Sequence, residues 1–313
     1  MKIKFETDSF LGQVKCLKFH PQLDSLLYAS TGAFLCVYLL KEKGEKHITV
    51  FEKQVFPSGT QIHGFQFDVV SRQKTRVLLY GQKSLSILYH SFQSKESNSC
   101  LSVEEYDPPI LLQLRDWVWN ADFLPFLPPK LVLQNTENHE GQVGASVWEK
   151  SEKDLFLVAT AHNVVQVWNI SEKKRVYSKT CHTKCILYSS SFHFDSQSKT
   201  VTAASGTVFN SVLLWDPFDS FSVPFAELEG HRGVIFSVSF DKEGKHLCSS
   251  SDDRTIAVYK VDGVQKKQQA KILPLVQFVG HSARVWNCVF SPKGDHVLSC
   301  AEDAKGDPSK IFF

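Results

Sequence analysis

Short runs of alternating apolar and polar residues recur along the whole chain. Val14-Lys15-Cys16-Leu17-Lys18-Phe19 alternates, and residues 26–29 and 35–39 follow as two more apolar runs across turns. Alternation with period two sends successive side chains to opposite faces of an extended strand, so each run predicts a strand. The triplet returns at 62–67, 76–80 and 84–89, then at 117–123, 155–160 and 164–168, then at 186–194, 200–204 and 211–215. It returns once more at 234–240, 247–251 and 256–260, and begins again at 285–290 and 296–301. A fourth, less regular strand is expected between triplets, as at 46–51 and 175–179. Near-continuous apolar runs such as Val77-Leu78-Leu79-Tyr80 predict strands covered on both faces.

Two stretches repeat almost word for word. Gly230-His231-Arg232-Gly233-Val234-Ile235-Phe236 and Gly280-His281-Ser282-Ala283-Arg284-Val285-Trp286 each precede a strand, a polar turn and an apolar-serine run that ends in acid, at Asp253 and Asp303. A sheet repeated at a fixed period of about 40–50 residues implies a radial array of blades. The expected fold is therefore all-β, a β-propeller spanning residues 1–303, with a polar insert at about 131–153. Residues 125–130, rich in proline, cannot be an interior strand. Beyond Asp303 the third strand of the sixth blade is not evident, and Pro308 stands where a central strand would run. The expectation is an incomplete propeller, about five and a half of a usual seven blades, with residues 304–313 as a non-matching tail.

Composition adds limits. The 313 residues are 42% hydrophobic and 22% charged with a formal net charge of +2, ordinary for a globular chain and too balanced to imply nucleic-acid binding without a clustered patch. No basic-then-apolar leader opens the chain, and the longest apolar run, 34–40, is far short of a membrane span. A cytoplasmic protein without membrane association is expected, and its eight cysteines are expected to be reduced.

No catalytic constellation emerges. Phosphate-loop and dinucleotide fingerprints are absent, and Gly280-His281-Ser282-Ala283-Arg284 lacks the second glycine of a nucleophile elbow. Cys181-His182-Thr183-Lys184-Cys185 offers three soft ligands but no second pair. No metal and no cofactor is expected on this chain. Basic residues gather at 41–53 and 260–271, either as solvated outer strands or as phosphate contacts. His63, Trp117, Trp119, Arg232, Arg284 and Trp286 lie where first strands enter their blades. Trp and Arg are enriched at binding hot spots, so these six are candidate contacts for a partner or RNA; the tryptophans could equally pack between blades.

The repeats resemble the WD40 family. In that family a Gly-His before the first strand, a serine in the second, an Asp after it and a Trp ending the third are joined in one hydrogen-bonded network. The resemblance places that role on His231, Ser249, Asp253 and Tyr259, on His281, Ser299 and Asp303, and on Trp168 and Trp215.

Five motifs in order narrow the match. They are Ile62-His63-Gly64-Phe65, Asp116-Trp117-Val118-Trp119-Asn120-Ala121, Ala161-His162-Asn163-Val164-Val165 and the two Gly-His segments. Together, over about residues 60–303, they are similar to the amino-terminal propeller of the WD repeat-containing protein 6 family. That resemblance implies a non-catalytic subunit of a tRNA anticodon-loop 2′-O-methyltransferase. It implies as partners the catalytic methyltransferase subunit, which would carry the S-adenosylmethionine, and tRNA held so that its wobble nucleotide is methylated. The alternative is a substrate receptor for a ubiquitin ligase or a general protein-interaction scaffold. Against the receptor, no Arg follows Trp168-Asn169 or Trp215-Asp216 at the expected place.

Overall fold

The computed structural model describes residues 14–40, 48–95, 100–129, 154–264, 269–303 and 311–312. The insert at 131–153, most of the basic stretch at 41–47, Lys266 and Lys267, and residues 304–310 lie outside the described residues. Two compact units, Met1–Phe123 and Leu124–Phe313, divide the chain.

In the first unit, β1 (Val14–His20), β2 (Leu23–Thr31), β3 (Phe34–Leu39) and β4 (Ile48–Gln54) form one antiparallel meander. β5 (Gly64–Ser71), β6 (Lys74–Gly81), β7 (Ser84–Lys95) and β8 (Cys100–Gln113) form the next. β9 (Val118–Phe123) ends the unit and lies against β5 and β6. The core fills the space between the two meanders. Leu26, Tyr28, Leu35 and Val37 of the first meet Phe65, Val77, Leu79 and Leu88 of the second. Central strands are buried on both faces, which is why β2 and β6 read as nearly continuous apolar runs.

The second unit repeats the pattern. β10 (Leu155–Thr160), β11 (Val164–Asn169) and β12 (Lys174–Thr180) pair in order. β13 (Leu187–Asp195), β14 (Thr200–Thr207), β15 (Val212–Trp215) and β16 (Ala226–Leu228) form the following blade. β17 (Ile235–Phe240), β18 (His246–Ser251), β19 (Thr255–Lys260) and β21 (Val276–Val279) form the next. β20 (Ala270–Ile272) joins the preceding blade instead, parallel to β16. β22 (Val285–Phe290), β23 (Val297–Ala301) and β24 (Ile311–Phe312) make the last sheet. Apolar layers again lie between successive sheets.

In chain order the strands form five blades followed by a partial, three-stranded sheet. The expected all-β blade architecture is thus present. Two details differ from the sequence reading. The fourth strand of the second blade, β8, is 14 residues long and the longest described. Its Pro108 and Pro109 conceal it in the sequence, and an outer strand tolerates them because one side of the ladder is free. The last sheet has a short third strand where none was evident, Ile311–Phe312 pairing with Leu298 and Val297. Among the described residues no helix is long and apolar enough to cross a membrane.

Candidate functional site

The first Gly-His blade shows what the repeat residues do. Gly230 takes φ +126°, and a Cβ there would press on Pro274, so glycine is required on both counts. The turn delivers His231 into the blade. Its Nδ1 lies 2.9 Å from the Asp253 carboxylate and its Nε2 2.8 Å from Ser249 Oγ. Asp253 also accepts the Arg232 backbone N–H at 2.8 Å and the Thr255 hydroxyl at 2.6 Å. Burial alone would raise the Asp253 carboxyl. The hydrogen bonds from His231, Thr255 and Arg232 outweigh it and hold the group far below the usual carboxylate range. The last sheet copies the arrangement: His281 meets Ser299 at 2.9 Å and Asp303 at 3.1 Å, and the Ser282 N–H reaches Asp303 at 2.7 Å.

The fourth member differs from the expectation. Tyr259 is fully buried, and its hydroxyl interacts with Ser249 only outside ordinary hydrogen-bond geometry. A phenol on the position of an indole faces Ser249 without reaching it in bonding geometry. Trp168 also stands outside such a network, its indole N–H donating to Gln166 of its own strand at 2.9 Å. Trp215 does bond a strand serine: its Nε1–H donates to Ser205 at 3.0 Å, and Ser205 donates to Asn163 Oδ1 at 2.7 Å. Sequence reading missed Ser205 and Asn163 because no Gly-His marks that blade. The signal was the ten-residue spacing from serine to ring, shared by Ser249 and Tyr259.

The six candidate contact residues fall into two groups, one in each unit. Register shifts fall at one repeat position, between Val14 and Cys16, Leu187 and Ser189, Ile235 and Ser237, and Val285 and Asn287. Each is a bulge that leaves one residue out of the ladder and re-aims its side chain. The residues so displaced are Lys15, Tyr188, Phe236 and Trp286. His63 and Trp119 each directly follow a buried residue, Ile62 and Val118.

In the second unit the displaced rings meet in sequence. Tyr188 and Phe236 are 6.0 Å apart, edge to face, and Phe236 and Trp286 4.6 Å apart. Arg284 lies over the Trp286 ring at 5.5 Å and pairs with Glu302 at 3.1 Å and Asp252 at 3.5 Å. Arg232 is exposed. Tyr188 and Trp286 remain 42% and 45% exposed, an unusual cost for large rings. Tyr188 and Phe236 were not foreseen, since a bulge is invisible in a strand pattern.

In the first unit His63, Trp117 and Trp119 cluster with ring centroids 5.4 to 6.1 Å apart and planes within 26°. Trp117 precedes β9 rather than lying in it. The two tryptophans therefore do not share a strand face, yet their rings still meet.

Cys181 and Cys185 are buried, which pushes their thiols up to about 12 and about 11, while His182 is exposed. Among the described residues no group of three His, Cys, Asp or Glu is placed to hold a metal ion. Within the basic stretches, Lys53 pairs with Glu105 and Lys271 with Glu229 on the outer strands.

A family profile, WD domain, G-beta repeat, matches residues 222–260 and 273–305, the two segments with the His-Ser-Asp network. The chain carries WD40 repeats in a fold of the β-propeller class. Within that class it is similar to the WDR6 regulators. The tRNA (34-2′-O)-methyltransferase regulator WDR6 of Rattus norvegicus is 25% identical over 287 residues, 88% of this chain and 22% of that protein. The protein of the same name from Drosophila melanogaster is 25% identical over 262 residues, 78% of this chain and 23% of that protein. The chain thus spans less than a quarter of the length of these relatives. A chain in the crystal structure of an active polycomb repressive complex 2 in the basal state shares the fold, with TM-score 0.55 at 15% identity, covering 81% of this chain and 48% of that one.

Proposed function

We propose that this chain is a non-catalytic regulatory subunit that binds a tRNA 2′-O-ribose methyltransferase in the cytoplasm and helps hold tRNA for methylation at the wobble nucleotide. The observation that carries this reading is the similarity to named methyltransferase regulators over 88% of the chain. The physical logic is positioning: a scaffold that binds enzyme and substrate together raises the fraction of encounters in reactive geometry. In this reading S-adenosylmethionine belongs to the partner enzyme. The Tyr188–Phe236–Trp286 arc, with Arg284 over the Trp286 ring, supports docking of a protein. Its rings are half-exposed and of hot-spot type, and its cation and carboxylates balance, which suits a protein face better than a polyanion.

Co-purification of the full chain with the methyltransferase subunit tests the proposal. The wild type should retain the enzyme, and the Phe236→Ala/Trp286→Ala double variant should weaken retention by about tenfold or more. Failure of the wild type to retain the methyltransferase, with recovery of a cullin adaptor instead, would favour the ubiquitin-ligase reading.

A further inference from the structure

The three rings of the first unit differ in kind from the arc of the second. Their planes lie nearly parallel, at 15°, 25° and 26°, whereas Tyr188 and Phe236 meet edge to face. Parallel rings that end in an exposed face suit one more planar ring. Trp117 supplies that face, 41% exposed, with Trp119 and His63 half-buried beside it.

His63 is suited to a supporting role. Burial, helped by Lys15, lowers its pKa, against the opposing pull of a hydrogen bond to the Val118 backbone. The imidazole is therefore neutral and flat, and its Nδ1 is buried without a hydrogen-bond partner. The loop that carries Trp117 is held at both ends. The Leu114 N–H donates to the Lys83 carbonyl at 2.7 Å and the Val118 N–H to the Gln82 carbonyl at 2.6 Å. The Trp117 N–H closes onto the Asp116 carboxylate at 2.8 Å. A ring fixed this way loses little conformational freedom when something stacks on it.

Charge decides what stacks. Arg115, in the loop that carries Trp117, and Lys83, in the turn to which that loop is bonded, are exposed and make no ion pair among the described residues. Lys15 adds a third cation near His63. The Asp116 carboxylate in the same loop accepts the Trp117 backbone N–H. Aromatic platforms flanked by exposed cations are a means by which proteins hold single-stranded nucleic acid: bases stack, and the cations meet phosphates.

We propose that Trp117 is a stacking platform for an unpaired base of single-stranded RNA, with Lys83 and Arg115 contacting the adjoining phosphates. The proposal rests on the regulatory-subunit reading for its choice of RNA, and deepens it by naming where an anticodon-loop base would sit.

The test is binding of the full chain to a fluorescein-labelled single-stranded oligoribonucleotide, followed by anisotropy and by quenching of tryptophan emission. Trp117→Ala should weaken binding by about tenfold or more and remove most of the quenching, while Trp117→Phe keeps a ring and should recover most of the affinity. Lys83→Ala/Arg115→Ala should weaken binding and flatten its dependence on salt. Thermal unfolding of each variant should match the wild type, since all three side chains are exposed. Unchanged RNA affinity in Trp117→Ala would overturn the proposal, as would absence of RNA binding by the wild type at low salt. If Trp117→Ala instead loses the methyltransferase while RNA binding is intact, the platform is a protein contact and the proposal falls. Methyltransferase capture by the wild type is scored separately, so loss of the regulatory reading is distinguishable from loss of the stacking site.

Discussion

Asp253 and Tyr259 lie in one blade and have opposite energetic characters. The Asp253 carboxylate satisfies His231, Thr255 and the Arg232 N–H together. Asp253→Ala should therefore destabilise the protein by about 2–4 kcal/mol in a denaturant titration, because it leaves buried donors unsatisfied. Tyr259 carries a buried hydroxyl whose approach to Ser249 falls outside ordinary bonding geometry, so Tyr259→Phe should be close to neutral. Trp215→Phe should cost about 2–3 kcal/mol by comparison, since it strands Ser205 and leaves a void. A marked loss of stability in Tyr259→Phe would show that its hydroxyl is bonded in solution. The His-Ser-Asp set was legible in the sequence because one motif occurs twice with identical spacing, 18 residues from His to Ser and 22 from His to Asp. Trp168 was misplaced because the same residue type at the same strand end can turn its N–H to a neighbour such as Gln166.

At the scale of elements, the inner strands of each blade were readable, and the outer strands and their partnership were not. β20 lies between blade-five strands in the chain but adds to blade four, its Ala270 N–H donating to Phe225 and its Ile272 carbonyl accepting from Glu229. Ala270→Pro removes that donor and should release the strap, costing about 1–3 kcal/mol. Hydrogen exchange should report faster exchange at the Glu229 amide, with the β17–β18 ladder unaffected; unchanged protection at Glu229 would contradict this. The bulges have the same lesson. Ile235-Phe236 and Val285-Trp286 read as ordinary strand starts, yet the ladder skips the ring in both. A residue expelled from the ladder no longer obeys alternation, so the pattern that revealed the strands concealed the rings' direction.

At the scale of the molecule, the first unit carries a buried polar cluster that couples its stability to pH. His20 Nε2 meets Thr75 at 2.9 Å, and His90 Nδ1 meets the Tyr28 hydroxyl at 2.9 Å, among Phe51, Phe67 and Phe92. Burial lowers the His20 pKa to about 4 and, with Lys53 and His20 nearby, the His90 pKa to about 3. Above pH 6.5 these histidines are neutral folded or unfolded. Below it the unfolded chain takes up protons that the folded chain refuses, so stability falls as pH drops from 6.5 toward about 4. Asp122, raised by burial to about 6, acts in the opposite sense over part of that range. The Tyr28→Phe/His90→Phe double variant isolates the histidine contribution, and its melting temperature should fall less between pH 7 and pH 4.5 than that of the wild type. An identical fall would exclude His90 as a source. By itself the sequence determined the inner strands, their grouping into blades and the repeated His-Ser-Asp residues, because alternation and spacing are local and survive in one dimension. Only the tertiary structure decided that three rings lie parallel around Trp117, that Tyr188 and Phe236 join Trp286, and that β20 crosses to its neighbour's edge. Those outcomes depend on which residues leave the ladder and which sheets meet, and contacts between segments far apart in the chain leave no periodic mark.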